Sequence, residues 1–276
     1  MLHAPSISPE DLFQLLGQSD APHLIDVRVA EHVAEDPRSL PAARPLDYRR
    51  VDDWAPSFQG QRVVVICQHG LKLSEGAAAW LRHAGAEARS LAGGFVAWRD
   101  AGLPLFRHAL LPPRDAQGRT LWVTRSRPKV DRIACPWLIR RFIDRQAVFL
   151  FTAPSEVSAV ADRFGATPFD IDGVFWSHRG ETCSFDTMLA EFGLESPALQ
   201  RLALLVRGAD TARPELAPEC AGLLAASLGL SRLHGDDLAQ LEAGLALYDS
   251  FYLWCRDATE EVHNWPAQNW PTRSAV

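Results

Sequence analysis

The spacing of apolar positions divides the chain into a first part of alternating strands and helices and a second part dominated by helices. In the first part, short apolar runs predict strands at residues 23–27, 63–66 and 87–91. Amphipathic segments around these runs predict helices, the first of them opened by a Ser-Pro pair. Strands that alternate with helices form parallel sheets, so we expect an α/β domain over residues 1–108.

The second part begins after a Pro-rich stretch, residues 103–119, which we interpret as a linker. Strands are predicted at 120–124 and 149–151, with one or two more within 169–178. The predicted helices cover residues 131–144, 155–164, 198–208, 216–228 and 234–262. We therefore expect a mixed, mostly α-helical domain over residues 120–276, with an irregular tail whose tryptophans pack onto it.

The composition is that of a soluble globular protein, and it disfavours some functions. The 276 residues are 47% hydrophobic and 22% charged, enough for two domains with their own cores. No apolar run approaches the length of a membrane span and the first residues lack a signal pattern, so we expect a cytoplasmic protein without a membrane partner. A net charge of -6 disfavours a nucleic-acid partner, and five scattered cysteines do not form a disulfide framework.

The strongest chemical signal is a cysteine placed between a strand and a helix. Residues 63–66 are three valines and an isoleucine, the pattern of a buried strand, and Cys67 follows directly. A loop that ends at Lys72 leads into a helix with Ser74 as its expected N-cap. Such a unit directs backbone N–H groups and the positive end of the helix at one point, which favours the thiolate form of a cysteine. We therefore predict that Cys67 is a nucleophile or a persulfide carrier.

The motif Cys67-x-x-Gly70-x-Lys72 resembles the active-site loop of the rhodanese family. Two flanking segments, Asp26-Val27-Arg28 and Gly93-Gly94-x-x-x-Trp98, resemble further motifs of the same family in the right order. The resemblance covers roughly residues 6–106. It implies a parallel-sheet fold and a sulfurtransferase that carries sulfane sulfur as a persulfide on Cys67.

The resemblance also implies how the substrate would be held. Lys72 is expected to act together with the cysteine, and the rest of the loop to hold a small anionic sulfur donor such as thiosulfate. The predicted anion-binding residues of the loop are Gln68, His69, Gly70 and Leu71. The sulfur acceptor would be a protein or a small thiol. Arginine is commoner at the position of Lys72, and a rhodanese fold without activity stays an open alternative.

A dense group of cations follows the first strand of the second part. These are Arg125, Arg127, Lys129 and Arg132, which lie between that strand and the next predicted helix or at its start. Several cations beside a helix N-terminus form an anion-binding arrangement, so we predict that these side chains bind a small anion. The alternative is a solvated basic face on a long helix.

Residue types that bind metals are crowded into positions 178–186. Imidazole and carboxylate are ligands of first-row transition metals, and a thiolate would favour zinc. We predict a divalent metal (zinc, iron or manganese) bound by His178, Glu181 and Asp210, and no organic cofactor. The alternative is that Thr182 or Ser184 simply caps the next helix. Further candidates, for which caps and solvated faces are commoner roles, are Asp249, Asp257, Glu261 and His263.

The segment 125–144 resembles the signature of the C-terminal domain of the chromate-resistance ChrB family. Shorter matches follow in order at residues 178–180, 183–185, 206–211 and 248–249. The resemblance covers roughly residues 120–265. The family is tied to chromate tolerance, in some members as a regulator with its own N-terminal segment. Here a rhodanese-like domain stands in that place, which disfavours a DNA-binding role.

Together, the two resemblances imply a cytoplasmic, sulfurtransferase-like protein linked to chromate, other oxyanion or metal stress. Chromate has the shape of sulfate, so the predicted anion pocket suits either ion. A sensor or regulator that binds metal or chromate without catalysis is the alternative, and a gel-shift titration separates the two. A scaffold in which Cys67 is silent is a third hypothesis, which a persulfide mass shift on Cys67 would exclude.

Overall fold

The first half of the chain folds around a five-stranded parallel sheet in the computed structural model, which describes residues 5–261. The strands are β1 (Ser6–Ile7), β2 (His23–Asp26), β3 (Arg38–Ser39), β4 (Arg44–Pro45), β5 (Arg62–Ile66), β6 (Glu87–Leu91) and β7 (Phe106–Arg107). The helices are α1 (Pro9–Leu15), α2 (Ala30–Glu35), α3 (Val51–Trp54), α4 (Lys72–His83) and α5 (Gly94–Asp100). The sheet has the order β1-β6-β5-β2-β4 with every pair parallel, which confirms the predicted α/β class.

The central strand β5 is buried on both faces of this sheet. Val63 and Val65 pack with the apolar side of α4, and Val64 and Ile66 pack with α1 and α5 on the other face. Two packed faces explain why the sequence shows an unbroken apolar run here instead of an alternating pattern. Cys67 continues the strand and lies at the edge of the α4 cluster.

The second half combines a small parallel sheet with a larger group of helices, as predicted. Its strands are β8 (Leu121–Arg125), β9 (Val148–Thr152) and β10 (Thr167–Pro168), in the order β10-β8-β9. Its helices are α6 (Asp131–Leu138), α7 (Val157–Phe164), α8 (Ser184–Phe192), α9 (Pro197–Asp210), α10 (Cys220–Leu233) and α11 (Asp237–Leu253). Single π-helical turns, Ile139–Ile143 and Trp254–Ala258, extend α6 and α11.

Residues 169–178, predicted as one or two strands, form turns instead. Phe169 and Trp176 make an isolated bridge, and Asp170 between them has a φ of 50°. This left-handed backbone conformation interrupts a strand. As a result Asp170 turns towards the helices, where its carboxylate meets the start of α8.

The stretch predicted as a linker, residues 103–119, is packed between the two halves. Its strand β7 pairs antiparallel with β3, and Phe106 is fully buried in the core of the second half. Beyond this stretch, the Arg145 guanidinium donates to the carbonyl oxygens of Ala21 and Pro22 at 2.6 and 3.0 Å. The two halves therefore share a packed contact, which we call the junction.

Within residues 5–261, no helix is both long and apolar enough to cross a bilayer. The five cysteines all lie in this range, and each is free and buried. The predicted packing of the tail tryptophans and the candidate role of His263 concern residues that lie outside the described ones.

Candidate functional site

Cys67 lies at the carboxyl end of β5, in the loop that leads to α4. The residue is 5% exposed, and its Sγ lies 3.1 Å from Ser74 Oγ and 3.7 Å from the Leu71 carbonyl oxygen. The helix begins at Lys72 with Leu71 as its N-cap, so the predicted cap role of Ser74 is wrong. The Ser74 hydroxyl lies in the first turn instead, within hydrogen-bonding distance of the sulfur.

Backbone packing against a pair of glycines fixes the shape of this loop. A Cβ on Gly94 would lie 2.3 Å from the Cys67 carbonyl oxygen and 2.4 Å from the Gly70 nitrogen. Gly70 and Gly94 have φ angles of 68° and 62°, which side chains disfavour. The Phe95 N–H donates to the Cys67 carbonyl at 2.9 Å. The Gly-Gly motif therefore acts by bringing its main chain directly against the cysteine loop.

The backbone N–H groups of the loop lack protein acceptors in the described residues. In the described part of the chain, those of residues 68–73 donate to no protein acceptor. They adjoin the N-terminus of α4, which carries partial positive charge. Lys72, His69 and Leu71 are exposed, whereas Gln68 is buried and its side-chain oxygen has no partner. The loop thus holds the Cys67 thiol, a run of backbone donors without a protein acceptor and the Lys72 cation in one short segment.

A second cluster lies beyond the carboxyl ends of β8 and β10. His178 Nε2 is 3.2 Å from Asp210 Oδ2, 3.3 Å from Asp170 Oδ1 and 3.4 Å from Asp131 Oδ2. Ligands held at about 2.1 Å from one metal lie about 3.0 to 3.4 Å from each other in octahedral or tetrahedral geometry. Asp131, Asp170 and His178 place ligand atoms within 4.8 Å of one another, as a set around a single cation requires, and Asp210 lies beside His178.

Three segments of the chain supply these four side chains. Asp131 is the first residue of α6 and Asp210 the last of α9, while Asp170 and His178 lie in the turns after β10. The start of α8 orients two of them. The Ser184 N–H donates to Asp131 Oδ2 at 2.6 Å, and its hydroxyl donates to Asp170 Oδ1 at 2.9 Å. Such outer contacts fix the direction in which ligand oxygens point.

Charge is concentrated in this cluster. Hydrogen bonds with Asp131 and Asp170 raise the pKa of His178 to about 10. Burial, with repulsion from Asp131 and Asp170, raises the pKa of Asp210 to about 7, and burial also raises the pKa of Asp131. Burial opposes ionisation of Asp170 as well, but hydrogen bonds from His178 and Ser184 lower its pKa on balance. A divalent cation would relieve the mutual repulsion of these carboxylates.

Two of the four cations predicted to bind an anion reach the cluster. Arg132 Nε lies 3.2 Å and Arg125 Nη2 lies 3.4 Å from Asp170 Oδ2. Arg127 instead donates to the backbone carbonyls of Ser231 in α10 and of His234 just after it, and Lys129 is exposed. The structure therefore does not bring the predicted four-cation pocket together, because Arg127 serves to anchor α10 and α11.

Glu181, the third ligand predicted from the sequence, lies outside the cluster. Its side chain is 85% exposed, and its Oε2 lies 2.9 Å from Arg213 Nη1. The two candidate ligands that the sequence analysis missed are Asp131 and Asp170. Both follow strands of one parallel sheet, and the carboxyl ends of such strands are where ligands bind, which is the signal that could have found them.

Cys183 does not supply a thiolate to the cluster. It is the N-cap of α8, in place of the expected Thr182 or Ser184, and its thiol lies 3.2 Å from Asp186 Oδ2. Burial raises the pKa of Cys183 well above its ordinary value, so the thiol stays protonated. Arginines elsewhere pair with Asp249 and Asp257. The cluster therefore offers oxygen and nitrogen ligands, which suit manganese, iron or zinc.

Fold and sites define a protein in two parts, with a cysteine loop on a parallel α/β sheet and a carboxylate–histidine cluster among helices. Residues 8–101 match the family of the rhodanese-like domain, and residues 122–255 match the family described as ChrB, C-terminal domain. The chain therefore carries a rhodanese-like domain followed by a ChrB C-terminal domain. This confirms both resemblances drawn from the sequence motifs.

Two curated relatives match parts of the chain. Protein ChrB of Cupriavidus metallidurans is 42% identical over 142 residues, which are 51% of this chain and 42% of that protein. An uncharacterized protein of Synechocystis is 40% identical over 105 residues, which are 36% of this chain and 54% of that protein. The chain thus spans about half the length of the curated relatives it matches.

Solved structures match the first part of the chain. A rhodanese-related protein from Thermoplasma volcanium is 24% identical, with a TM-score of 0.32. The match covers 37% of this chain and 96% of the chain of that protein. A thiosulfate sulfurtransferase from Pseudomonas aeruginosa is 25% identical, with a TM-score of 0.33. The match covers 38% of this chain and 20% of the chain of that protein.

Proposed function

We propose that the rhodanese-like domain is a sulfurtransferase site in which Cys67 carries a persulfide. The observation that carries this proposal is that, among the described residues, the backbone N–H groups of residues 68–73, which follow Cys67 directly and include that of Lys72, have no protein acceptor. Donors fixed in place stabilise a thiolate, a persulfide anion or an anionic donor without reorganising during the reaction. The family match over residues 8–101 supports the same function.

The proposed reaction with thiosulfate has two steps. The Cys67 thiolate attacks the outer sulfur, the sulfur–sulfur bond of thiosulfate breaks, and sulfite leaves with the electron pair as the new bond to Cys67 forms. A thiol or protein acceptor then attacks the terminal sulfur and restores the thiolate. The Ser74 hydroxyl donates to the Leu71 carbonyl oxygen at 3.0 Å and lies 3.1 Å from Sγ, so turning its proton towards Sγ would stabilise the sulfur anion.

Thiocyanate release from thiosulfate and cyanide by the full chain tests this proposal. We expect turnover and a persulfide mass gain of one sulfur atom in the wild type, and neither in Cys67→Ala. Cys255→Ala, which removes a buried thiol of the second half, should keep wild-type turnover. Equal turnover in wild type and Cys67→Ala, or none in the wild type, would remove the enzymatic claim.

A second candidate function is metal binding by the ChrB C-terminal domain. The convergence of three carboxylates on one imidazole favours it. The proposed ligands are Asp131, Asp170, His178 and Asp210. Arg125 and Arg132, beside this set, would attract an oxyanion such as chromate. Elemental analysis of protein purified without chelator is expected to find one equivalent of manganese, iron or zinc per chain, and its absence after loading would contradict this function.

We further propose that both sites serve tolerance of chromate, another oxyanion or a metal, in the cytoplasm. The match to Protein ChrB supports the link, and five free buried cysteines suit a reducing compartment. A sensor of metal or chromate without catalysis is the alternative, and it requires ligand-dependent binding to DNA or a partner protein. A gel-shift titration at low salt, in which we expect no shift, distinguishes them for DNA.

A further inference from the structure

A cavity of about 210 Å³ lies at the junction of the two halves, and we call it the junction cavity. It borders the start of β2, where His23 pairs with the first half of β5. Cys67 follows the other end of β5, so the cavity is separate from the cysteine loop. His23 and Arg44 come from the first half of the chain, Arg145 comes from the second, and Arg114 belongs to the stretch between them.

The charges around the junction cavity do not balance. Its described lining holds three arginines and one carboxylate, Asp144. That carboxylate is already engaged, because it accepts three hydrogen bonds from neighbouring groups and lies 3.2 Å from Arg114 Nη1. Among residues 5–261, Arg44 forms no ion pair, and the carboxylate whose charge acts on Arg145 is Asp20, which pairs with Arg62 and is not part of the cavity lining. Arg145 donates to backbone carbonyls, and the hydrogen bond of Arg44 is a long one, 3.5 Å, to an amide oxygen.

The adjacent histidine is exposed to the charges of the same two arginines. Burial, with the charges of Arg145 and Arg44, lowers the pKa of His23 to about 4. Its ring is therefore neutral near pH 7 and adds a hydrogen-bonding group to the wall without adding charge. A cavity whose lining holds more guanidinium groups than carboxylates suits a small anion rather than a cation.

We propose that the junction cavity binds a tetrahedral oxyanion of the sulfate or phosphate type, held by Arg44 and Arg145. The planar guanidinium fork can donate to two oxygens of such an anion at once. Since the two arginines belong to different halves, the bound anion would also strengthen the contact between the halves. The proposal depends neither on persulfide chemistry at Cys67 nor on metal binding.

Calorimetric titration of the full chain with sodium sulfate tests the proposal, with sodium chloride at equal ionic strength as the reference. We expect saturable binding that weakens about tenfold or more in Arg44→Gln, because one guanidinium fork is lost. Arg49→Gln removes an exposed arginine of the same half and should keep wild-type affinity. Equal affinity in Arg44→Gln and wild type, an equal loss in both variants, or no saturable binding would overturn the proposal.

The histidine at the cavity gives a second, local readout that needs no variant. Bound sulfate should raise the pKa of His23, measured by NMR, because a dianion offsets the guanidinium charges. An unchanged His23 pKa at high sulfate would overturn the proposal even if Arg44→Gln failed to fold. The response should persist in Cys67→Ala, which separates it from sulfur transfer. Repeating the titration with phosphate and with chromate then shows which oxyanion is preferred.

Discussion

The cysteine loop and the carboxylate–histidine cluster are built in opposite ways. The loop takes its shape from the main chain, because Gly70 and Gly94 bring two backbone segments together and its donors are consecutive N–H groups. The cluster takes its shape from side chains of separate segments, from Asp131 to Asp210. A site built from the main chain should tolerate most side-chain replacements but not a Cβ added at a glycine. A site built from side chains should be lost when one of those side chains is replaced.

The largest effect is expected in the cluster, from the loss of one side chain. His178→Ala removes the one nitrogen ligand of the proposed set and should lower metal affinity by more than about hundredfold, because even outer contacts of a metal site are worth 10- to 100-fold. Asp210→Asn, which preserves side-chain size, should act in the same direction. Metal per chain in dialysed protein, measured by plasma mass spectrometry, checks both.

Glu181→Ala is the matched control for this prediction. Glu181 is close to His178 in the sequence, but it is exposed and paired with Arg213, so its removal should leave the metal content unchanged. Thiocyanate release should be unaffected in all three variants. Full metal content in His178→Ala would contradict the cluster, and loss in Glu181→Ala would restore the ligand set expected from sequence.

A smaller effect is expected in the loop, from one added methyl group. Gly94→Ala places a Cβ against the Cys67 carbonyl at a φ of 62°, so the free energy of unfolding should fall by about 2 to 3 kcal/mol. Thiocyanate release by the protein that still folds should fall as well, because the loop must move. Urea unfolding and turnover measure the two effects.

Gly76→Ala in α4 is the control for the loop. No atom lies within 4 Å of the added Cβ there, and alanine in a helix should raise stability by about 0.5 to 1 kcal/mol. Wild-type stability and turnover in Gly94→Ala would show that close backbone contact does not define the cysteine loop.

The same difference explains how much the sequence could predict. The loop is contiguous, so the buried strand, Cys67 and the following helix could be recognised together, and the parallel α/β class was confirmed with them. The hydrophobic pattern did not predict the residue at which α4 starts. That boundary makes Ser74 a neighbour of the sulfur rather than a cap, and it depends on how the loop packs against Gly94.

The cluster could be predicted only in part, because its members meet through tertiary structure. His178 and Asp210 were named from residue type, and both reach the cluster. Asp170 was hidden in a segment that alternates acidic and apolar residues like a strand, whereas its left-handed backbone makes a turn. Glu181 is favoured as a ligand because it lies close to His178 in the sequence. In a loop, closeness in sequence does not determine where a side chain points.

The smallest expected effect concerns the junction, which belongs to neither site and tests whether the halves are electrostatically coupled. Burial, Arg145 and Arg44 lower the pKa of His23 to about 4 in the folded chain. An unfolded histidine, with a pKa of about 6.5, binds a proton first as the pH falls. The stability that neutral His23 gives is therefore complete above pH 6.5 and is lost as the pH falls towards 4. Because the ring is only half-buried, we expect a loss of about 1 kcal/mol.

Urea unfolding at pH 7.5 and pH 4.5 in chloride buffers measures this loss. His23→Asn should be less sensitive to acid than the wild type, since it cannot take up the proton, and His83→Asn, at an exposed position of α4, should keep the wild-type loss. Arg145→Gln should also reduce the acid loss, because it removes a charge supplied by the other half of the chain. If His23→Asn and the wild type lost the same stability, the field at the junction would be too weak to couple the halves.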